Sequence, residues 1–113
     1  MRNLTRAVSL GDQIDRADTS SARRTGLLKH DGLGEGEGLW IVPCEAVHTF
    51  FMKFAIDVLY LDRKRRVKKT VRRLAPWRFS GHLPAHSVLE LPAGLIELTG
   101  TCKGDELEFQ EAS

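Results

Sequence analysis

The sequence predicts a mainly β fold of the α+β class, a small barrel-like or strongly curved antiparallel sheet with one or two short helices. Short apolar or alternating segments recur along the chain, and clusters of Gly, Pro, Asp and Ser separate them, as is typical of closely spaced strands joined by turns. The chain has 113 residues, of which 42% are hydrophobic, enough for one core. We therefore expect a single domain over residues 1–113.

The first third of the chain carries the weaker signals. Residues 3–10 indicate a short strand or hairpin, and residues 18–21 (Asp-Thr-Ser-Ser) are helix-capping types that predict a helix over residues 20–30. Glycine stands at every second position of residues 32–38, which predicts a loop. No phosphate-binding motif is present there.

The central part of the chain predicts most of the sheet. Residues 39–42 are a continuous apolar run that ends at Pro43, and residues 47–52 indicate a second extended segment. Residues 54–61 give the strongest strand signal in the chain. Residues 66–74 are expected to pair with them as a hairpin across a turn at residues 62–65.

The last third predicts a loop, a strand, a short helix and a final strand. The loop covers residues 77–84, and the next strand covers residues 87–91 and ends at Pro92. Residues 93–99 fit one or two helical turns. Residues 106–110 alternate cleanly, so Leu107 and Phe109 should face inward.

Charge and cysteine content narrow the class of protein only slightly. The net charge is +2, so the distribution of charge matters more than its sum. The N-terminal residues lack the apolar block of a signal peptide, and no apolar run is long enough to span a bilayer. Two cysteines without a CxxC pair are expected to be reduced. These features predict a cytoplasmic protein without a membrane partner.

Asp57 is a carboxylate inside an apolar strand. Alternation places it on one face with Leu59 and Leu61, while Ile56 and Val58 lie on the other face. Burying a carboxylate without partners is costly, so Asp57 should find hydrogen-bond donors or a cation. It would serve either as a catalytic base with a shifted pKa or as an acceptor of backbone N–H groups that fixes a loop. The second interpretation is favoured.

His48 is the histidine that lies inside an apolar stretch. In an extended segment it would share a face with Met52, and with Asp57 and Lys53 nearby it could take part in an acid–base pair. A histidine bonded to a backbone carbonyl is the favoured alternative. Glu90, between two leucines, is a similar case, because it would either face solvent or pair with a cation.

The densest charge feature is the basic segment, residues 63–73. Eight of the 17 basic residues fall in these eleven positions: Arg63, Lys64, Arg65, Arg66, Lys68, Lys69, Arg72 and Arg73. Cations on both faces suit an exposed edge strand, which is the favoured interpretation. The segment could also bind nucleic-acid phosphates, with Trp77 or Phe79 as stacking partners. Acidic residues near the C-terminus are expected to neutralise it: Asp105, Glu106, Glu108 and Glu111.

Metal and cofactor sites are not predicted. His82 and His86 are four residues apart, but Pro84 between them argues against a helix that would bring both to one metal ion. No spacing links them to Cys44 or Cys102 as a ligand set.

The order and spacing of six segments together resemble a known family. They are residues 24–28 (Arg-Thr-Gly-Leu-Leu), 38–40 (Gly-Leu-Trp), 48–53 (His-Thr-Phe-Phe-Met-Lys), 56–62 (Ile-Asp-Val-Leu-Tyr-Leu-Asp), 88–94 (Val-Leu-Glu-Leu-Pro-Ala-Gly) and 104–107 (Gly-Asp-Glu-Leu). They resemble the family called domain of unknown function 192, over about residues 19–109.

The resemblance implies a compact, mainly β fold with a short helix, and no established activity. It transfers a candidate site or structural signature to five positions: His48, Met52, Asp57, Glu90 and Gly94. Two departures stand out. The turn after Asp57 usually contains glycine in that family but reads Arg-Lys-Arg here, and Phe51 stands where tryptophan is common.

The leading functional hypothesis is a small binding module for an unidentified small molecule or protein, with Met52, Asp57, Glu90 and Gly94 as the binding residues. One alternative is an enzyme with a His48/Asp57 acid–base pair. Another is a nucleic-acid-binding protein that uses the basic segment. A purely structural role in an assembly would instead require a large apolar surface patch and a stable oligomer.

Overall fold

The computed structural model describes residues 1–17 and 32–110. Within these residues the chain forms ten strands and one short helix. In chain order they are β1 (Arg2–Asn3), β2 (Val8–Ser9), β3 (Gln13–Ala17), β4 (Glu37–Ile41), β5 (Ala46–His48), β6 (Ile56–Leu61), β7 (Val67–Leu74), β8 (Phe79–Gly81), β9 (Ser87–Pro92), α1 (Leu95–Thr99) and β10 (Leu107–Glu108).

A five-stranded sheet with the order β3-β4-β9-β6-β7 is the centre of the fold. Its first pair, β3 and β4, is parallel, and the other neighbouring pairs are antiparallel. The mainly β prediction is thus confirmed, but the sheet is mixed rather than antiparallel. It is also open, since β3 and β7 are its two edges. Two small sheets accompany it, β10-β1-β2 and β5-β8.

Strands β6 and β9 occupy the middle of the sheet because both of their faces are apolar. All six residues of β6 are buried. Leu59 and Leu61 pack into one core, and Val58 and Tyr60 pack into a second core on the opposite face. This is the predicted alternation, and each large side chain contributes about 1.5–3 kcal/mol on burial.

The predicted hairpin of β6 and β7 is present, and Asp62 explains how its turn closes without glycine. The Asp62 carboxylate accepts the backbone N–H groups of Lys64 and Arg66, each at 2.9 Å. Arg65 takes the left-handed conformation, φ 61°, that glycine would otherwise supply. Burial opposes ionisation of Asp62. The two N–H bonds and the nearby charges of Lys68 and Arg66 outweigh burial and lower its pKa.

Asp105 joins the two ends of the described chain. Its Oδ2 accepts hydrogen bonds from Asn3 Nδ2 at 3.0 Å, from Arg6 Nε at 2.7 Å and from the Cys102 backbone N–H at 3.0 Å. Burial alone would raise the pKa of Asp105, but these three donors, together with the Arg6 charge, lower it. The carboxylate therefore holds β1 and its turn against the segment that leads into β10.

Several element boundaries differ from the predictions. The extended segment expected over residues 47–52 ends at His48, since Phe51 has φ 67° and turns the chain. The loop expected over residues 77–84 contains β8, which pairs with β5. Strand β9 includes Pro92. The hairpin near residues 3–10 and the helical turn near residues 93–99 are present, whereas the helix predicted over residues 20–30 lies outside the described residues.

The described helix is far too short to cross a membrane. Neither Cys44 nor Cys102 takes part in a disulfide bond.

Candidate functional site

Asp57 acts as a buried clamp between two strands and the short helix. It is 0% exposed, and its two carboxylate oxygens accept three backbone N–H groups: Arg73 at 2.8 Å, Gly94 at 3.1 Å and Ile96 at 2.8 Å. Charge-assisted bonds of this kind are roughly twice as strong as neutral ones. The geometry is that of the favoured interpretation, a carboxylate that fixes neighbouring backbone.

The clamp coincides with an irregularity in the sheet. Ile56 pairs with Leu74 while Val58 pairs with Val71, so Asp57 alone faces two residues of β7. Such a β-bulge leaves a backbone group out of the ladder. Asp57 accepts that group, the N–H of Arg73, which has φ 50°.

Gly94 belongs to the same clamp. It has φ 97° at the start of α1, a conformation that suits glycine. A Cβ atom at Gly94 would also lie 3.2 Å from a terminal guanidinium nitrogen of Arg73. Gly94 thus allows the helix to begin directly above Asp57.

Met52 and Glu90 are also interior residues. Met52 is 3% exposed and packs in the core that contains Val58 and Tyr60. Glu90 is 0% exposed and lies in β9 between Leu39 of β4 and Val58 of β6. The solvent-facing position considered for Glu90 is therefore wrong.

The structure does not bring His48 and Asp57 into an accessible pair. His48 lies on the surface at the end of β5, and its ring stacks on Phe50 with centroids 4.9 Å apart. Asp57 is enclosed and bonded to backbone N–H groups. Lys53 is exposed beyond Met52. General acid–base catalysis needs the proton acceptor within reach of a substrate, and an enclosed Asp57 does not offer this.

A group of aromatic rings forms the most distinctive surface of the described residues. We call His48, Phe50, Phe51 and Trp77 the aromatic platform. Beyond the His48–Phe50 stack, Phe50 and Trp77 are 6.1 Å apart, and Phe51 and Trp77 are 4.7 Å apart. Phe51 is 68% exposed and Trp77 is 55% exposed. Phe79 pairs with His48 across β5 and β8, and it is also exposed. Exposed apolar patches of this kind mark interaction sites.

Thr49 links the two turns that carry Phe50, Phe51 and Trp77 of the aromatic platform. It is 0% exposed, and its hydroxyl donates to the Ala75 carbonyl at 2.5 Å and accepts the Arg78 N–H at 2.9 Å. Its backbone carbonyl accepts the Trp77 N–H at 2.9 Å. One buried residue thereby fixes the turn at residues 49–52 against the turn at residues 75–78.

Backbone strain accompanies this arrangement. Phe51 has φ 67° and Trp77 has φ 63°, a region that bulky residues rarely occupy. Each such residue costs of order 1–3 kcal/mol, and such outliers cluster at binding and catalytic sites. The strained conformation directs two large rings outward next to each other.

The basic segment forms the turn of the β6–β7 hairpin and an edge strand, as the favoured interpretation predicted. Arg72 and Arg73 both lie close to Glu97, at 3.6 and 3.7 Å, and Arg66 lies 3.4 Å from Glu106. Of the acidic residues expected to neutralise the segment, Glu106 pairs with Arg66 and Asp105 pairs with Arg6 instead, while Glu111 lies outside the described residues. Two further basic residues, Lys53 and Arg78, adjoin the aromatic platform in the sequence.

Thr49, Phe50 and Phe51 were not identified as functional candidates from the sequence. A signal was present in residues 50–52, Phe-Phe-Met, because consecutive side chains of a strand point to opposite faces. Two adjacent phenylalanines before a buried methionine cannot all face one core.

Comparisons with known proteins agree with the fold and give no activity. Residues 4–109 match the family described as "Uncharacterized ACR", domain of unknown function 192. The chain is similar to a UPF0127 protein of Pyrococcus furiosus, with 34% identity over 96% of this chain and 97% of that protein. A UPF0127 protein of Thermococcus sibiricus is 31% identical, over 96% of this chain and 73% of that protein.

The fold is similar to that of a solved structure, a protein of unknown function from Novosphingobium aromaticivorans, with a TM-score of 0.74 and 24% sequence identity. The similarity covers 85% of this chain and 74% of that chain.

Proposed function

We propose that this chain, which belongs to the family described as "Uncharacterized ACR" (domain of unknown function 192), is a binding module for single-stranded nucleic acid. The observation that carries the proposal is the exposed contact between Phe51 and Trp77, with ring centroids 4.7 Å apart. Aromatic side chains on a surface stack with unpaired bases, and each stacked base contributes about 1–3 kcal/mol. The aromatic platform is the surface that receives the bases.

Basic residues near the aromatic platform support this choice of ligand. Arg78 follows Trp77 directly, and Lys53 follows the turn that carries Phe51; both are exposed. The Arg78 guanidinium lies 3.4 Å from the Trp77 carbonyl oxygen. Cations beside stacking rings are the combination that binds a phosphate backbone while its bases are unpaired. A ligand without negative charge would not use them.

The buried signature residues have a supporting role in this proposal. Met52, Asp57 and Glu90 are enclosed, so a ligand does not touch them without unfolding of the surrounding core. Asp57 and Gly94 fix β6, β7 and α1, while Met52 anchors the turn that begins at Thr49. The proposed ligand surface is therefore the exposed aromatic platform and not Met52, Asp57, Glu90 or Gly94.

The test is a fluorescence-anisotropy titration of short labelled oligouridine and oligothymidine at low salt. Phe51→Asn and Trp77→Asn remove one ring each, and asparagine tolerates the left-handed backbone that both positions adopt. Each variant should weaken binding by about tenfold or more. Lys53→Gln and Arg78→Gln should each reduce the slope of log affinity against log salt by about 0.7.

Leu98→Ser is the matched control, because Leu98 is 82% exposed on α1, an element that carries none of the platform residues. It should leave the affinity unchanged. Equal affinity for the wild type and both asparagine variants would contradict the proposal. A concentration-dependent dimer that Trp77→Asn abolishes, without binding of oligonucleotide, would assign the platform to self-association instead.

A further inference from the structure

A second site lies at the opposite end of the β6 strand from Asp57, beside the β6–β7 turn. A cavity of about 170 Å³ lies there between β3, β4, the turn and the start of β9. Its volume exceeds what a single water molecule requires. The side chains that matter for its chemistry are those of Arg16, Trp40, Asp62, Arg63, Arg65 and Ser87.

Three of the residues that line this cavity each carry a buried polar side-chain atom without a partner in the described chain. These atoms are Trp40 Nε1, Arg65 Nε and Ser87 Oγ, all sealed from bulk solvent. Trp40 is 6% exposed and Ser87 is 1% exposed. Buried polar groups almost always have a partner, and a buried donor without one costs about 1–3 kcal/mol. Three such donors around one cavity indicate an occupant that accepts hydrogen bonds.

The charge of the cavity wall specifies the kind of acceptor. Arg16 lies over the Trp40 ring, with the guanidinium carbon 5.3 Å from the ring centroid, and Arg63 and Arg65 come from the turn. Asp62 is the carboxylate in the wall. Its Oδ1 accepts the N–H groups of the turn, and its Oδ2 lies 3.7 Å from Lys68 Nζ, so its charge is partly compensated. Trp40 Nε1 and Arg65 Nε can only donate, and together with the arginine side chains they favour an anion over water, because water also has protons to donate.

We infer that this cavity is a binding site for a small oxyanion, a phosphate or sulfate group. Trp40, Ser87 and Arg65 donate to its oxygens, and Arg16 and Arg63 supply charge. A neighbouring depression of about 510 Å³ shares Asp62, Arg63 and His86 with the cavity, so it offers room for the remainder of a phosphomonoester. Arg63 is exposed and lines both spaces. The site is independent of the aromatic platform.

The indole N–H signals provide a direct test, because the chain has two tryptophans and only Trp40 borders the cavity. The full chain, labelled with ¹⁵N, is titrated with inorganic phosphate, sulfate and glycerol phosphate at constant ionic strength, with sodium chloride as the reference. Trp77→Phe assigns the two signals. The Trp40 signal should shift saturably with the oxyanions and not with chloride, while the Trp77 signal stays in place.

Ser87→Ala and Arg65→Lys each remove one of the unpartnered donors, and each should weaken binding by about tenfold or more. Arg63→Gln, at an exposed position, tests the same site without a change in the core. Arg72→Gln is the control, since it removes an equal charge from a position beside Glu97. An unmoved Trp40 signal, a shift equal to that from chloride, or equal affinities in all variants would overturn the inference. Tighter binding of glycerol phosphate than of inorganic phosphate would identify the depression as part of the site.

Discussion

Asp57 and Phe51 both occupy local conformations that a regular β-strand does not provide, but one residue is buried and the other is exposed. At Asp57 the chain buries a carboxylate and satisfies it with three backbone N–H groups. At Phe51 the chain exposes a large ring in a left-handed conformation and holds it through the neighbouring Thr49. In this stretch the inward-facing polar residues therefore organise the backbone, whereas the outward-facing aromatic residues remain available to a ligand.

The largest effect on the free energy of unfolding is expected for a substitution of the buried Asp57. Asp57→Asn replaces one of the two acceptor oxygens by an NH2 group and removes the charge, so at least one backbone N–H loses its partner. The free energy of unfolding should fall by about 3 kcal/mol. Urea denaturation measures this change. Glu35→Gln, at an exposed carboxylate, serves as the control and should lie within about 0.5 kcal/mol of wild type. A similarly small change in Asp57→Asn would mean that the clamp does not stabilise the fold.

Asp105 is a second buried carboxylate, and the stability that it contributes to the fold depends on pH. Its pKa is lowered in the folded state, so the unfolded state binds a proton more readily. The stability that Asp105 contributes is present above the unfolded pKa of about 3.9 and is lost as the pH falls through the lower folded value.

Denaturation curves at a series of pH values between neutral and strongly acidic check this expectation. Asp105→Asn should cost about 2 kcal/mol at neutral pH and should lose less stability than wild type on acidification. Parallel curves for the two proteins would show that Asp105 does not carry this part of the pH dependence.

Thr49 connects the two regions, because it is buried and yet acts on the exposed rings. Thr49→Val keeps the shape but leaves the Arg78 N–H and the Ala75 carbonyl without their partner. We expect a loss of about 1–2 kcal/mol in stability and a weaker affinity for oligonucleotide. Thr49→Ser retains the hydroxyl and should retain the affinity. If Thr49→Val and Thr49→Ser bind oligonucleotide equally well, the aromatic platform does not need the hydrogen bonds of the Thr49 hydroxyl.

The smallest effect on stability is expected at the exposed rings themselves. Trp77→Asn removes packing against Phe51 but also relieves a bulky residue at φ 63°. These contributions oppose each other, so the free energy of unfolding should change by less than about 1 kcal/mol. Thermal denaturation followed by circular dichroism measures it. A loss as large as that expected for Asp57→Asn would show that the platform is a structural element.

The sequence predicted those parts of the fold in which burial follows a simple period. Ile56, Val58 and Tyr60 alternate with Asp57, Leu59 and Leu61, and both sets lie on the predicted faces. Asp57 itself was correctly expected to need donors. The donors from Gly94 and Ile96 are distant in the sequence, so no local pattern identified them.

Other features depend on tertiary contacts that the sequence pattern does not contain. Strand β8 has three residues, including Gly81, and exists because β5 pairs with it. The parallel pairing of β3 and β4 joins a polar segment to an apolar one. Phe50 and Phe51 have apolar side chains that predict burial, and only their turn, fixed by Thr49, places them on the surface.

The NMR signal of the Trp77 indole N–H tests directly whether the aromatic platform binds nucleic acid. It is followed during titration of the ¹⁵N-labelled chain with oligouridine at low salt. Binding at the aromatic platform should shift the Trp77 signal saturably, and in Phe51→Asn the same shift should need about tenfold more oligonucleotide. A Trp77 signal that does not move at any ratio of oligonucleotide to protein would contradict the account. So would titration curves with the same midpoint in the wild type and in Phe51→Asn.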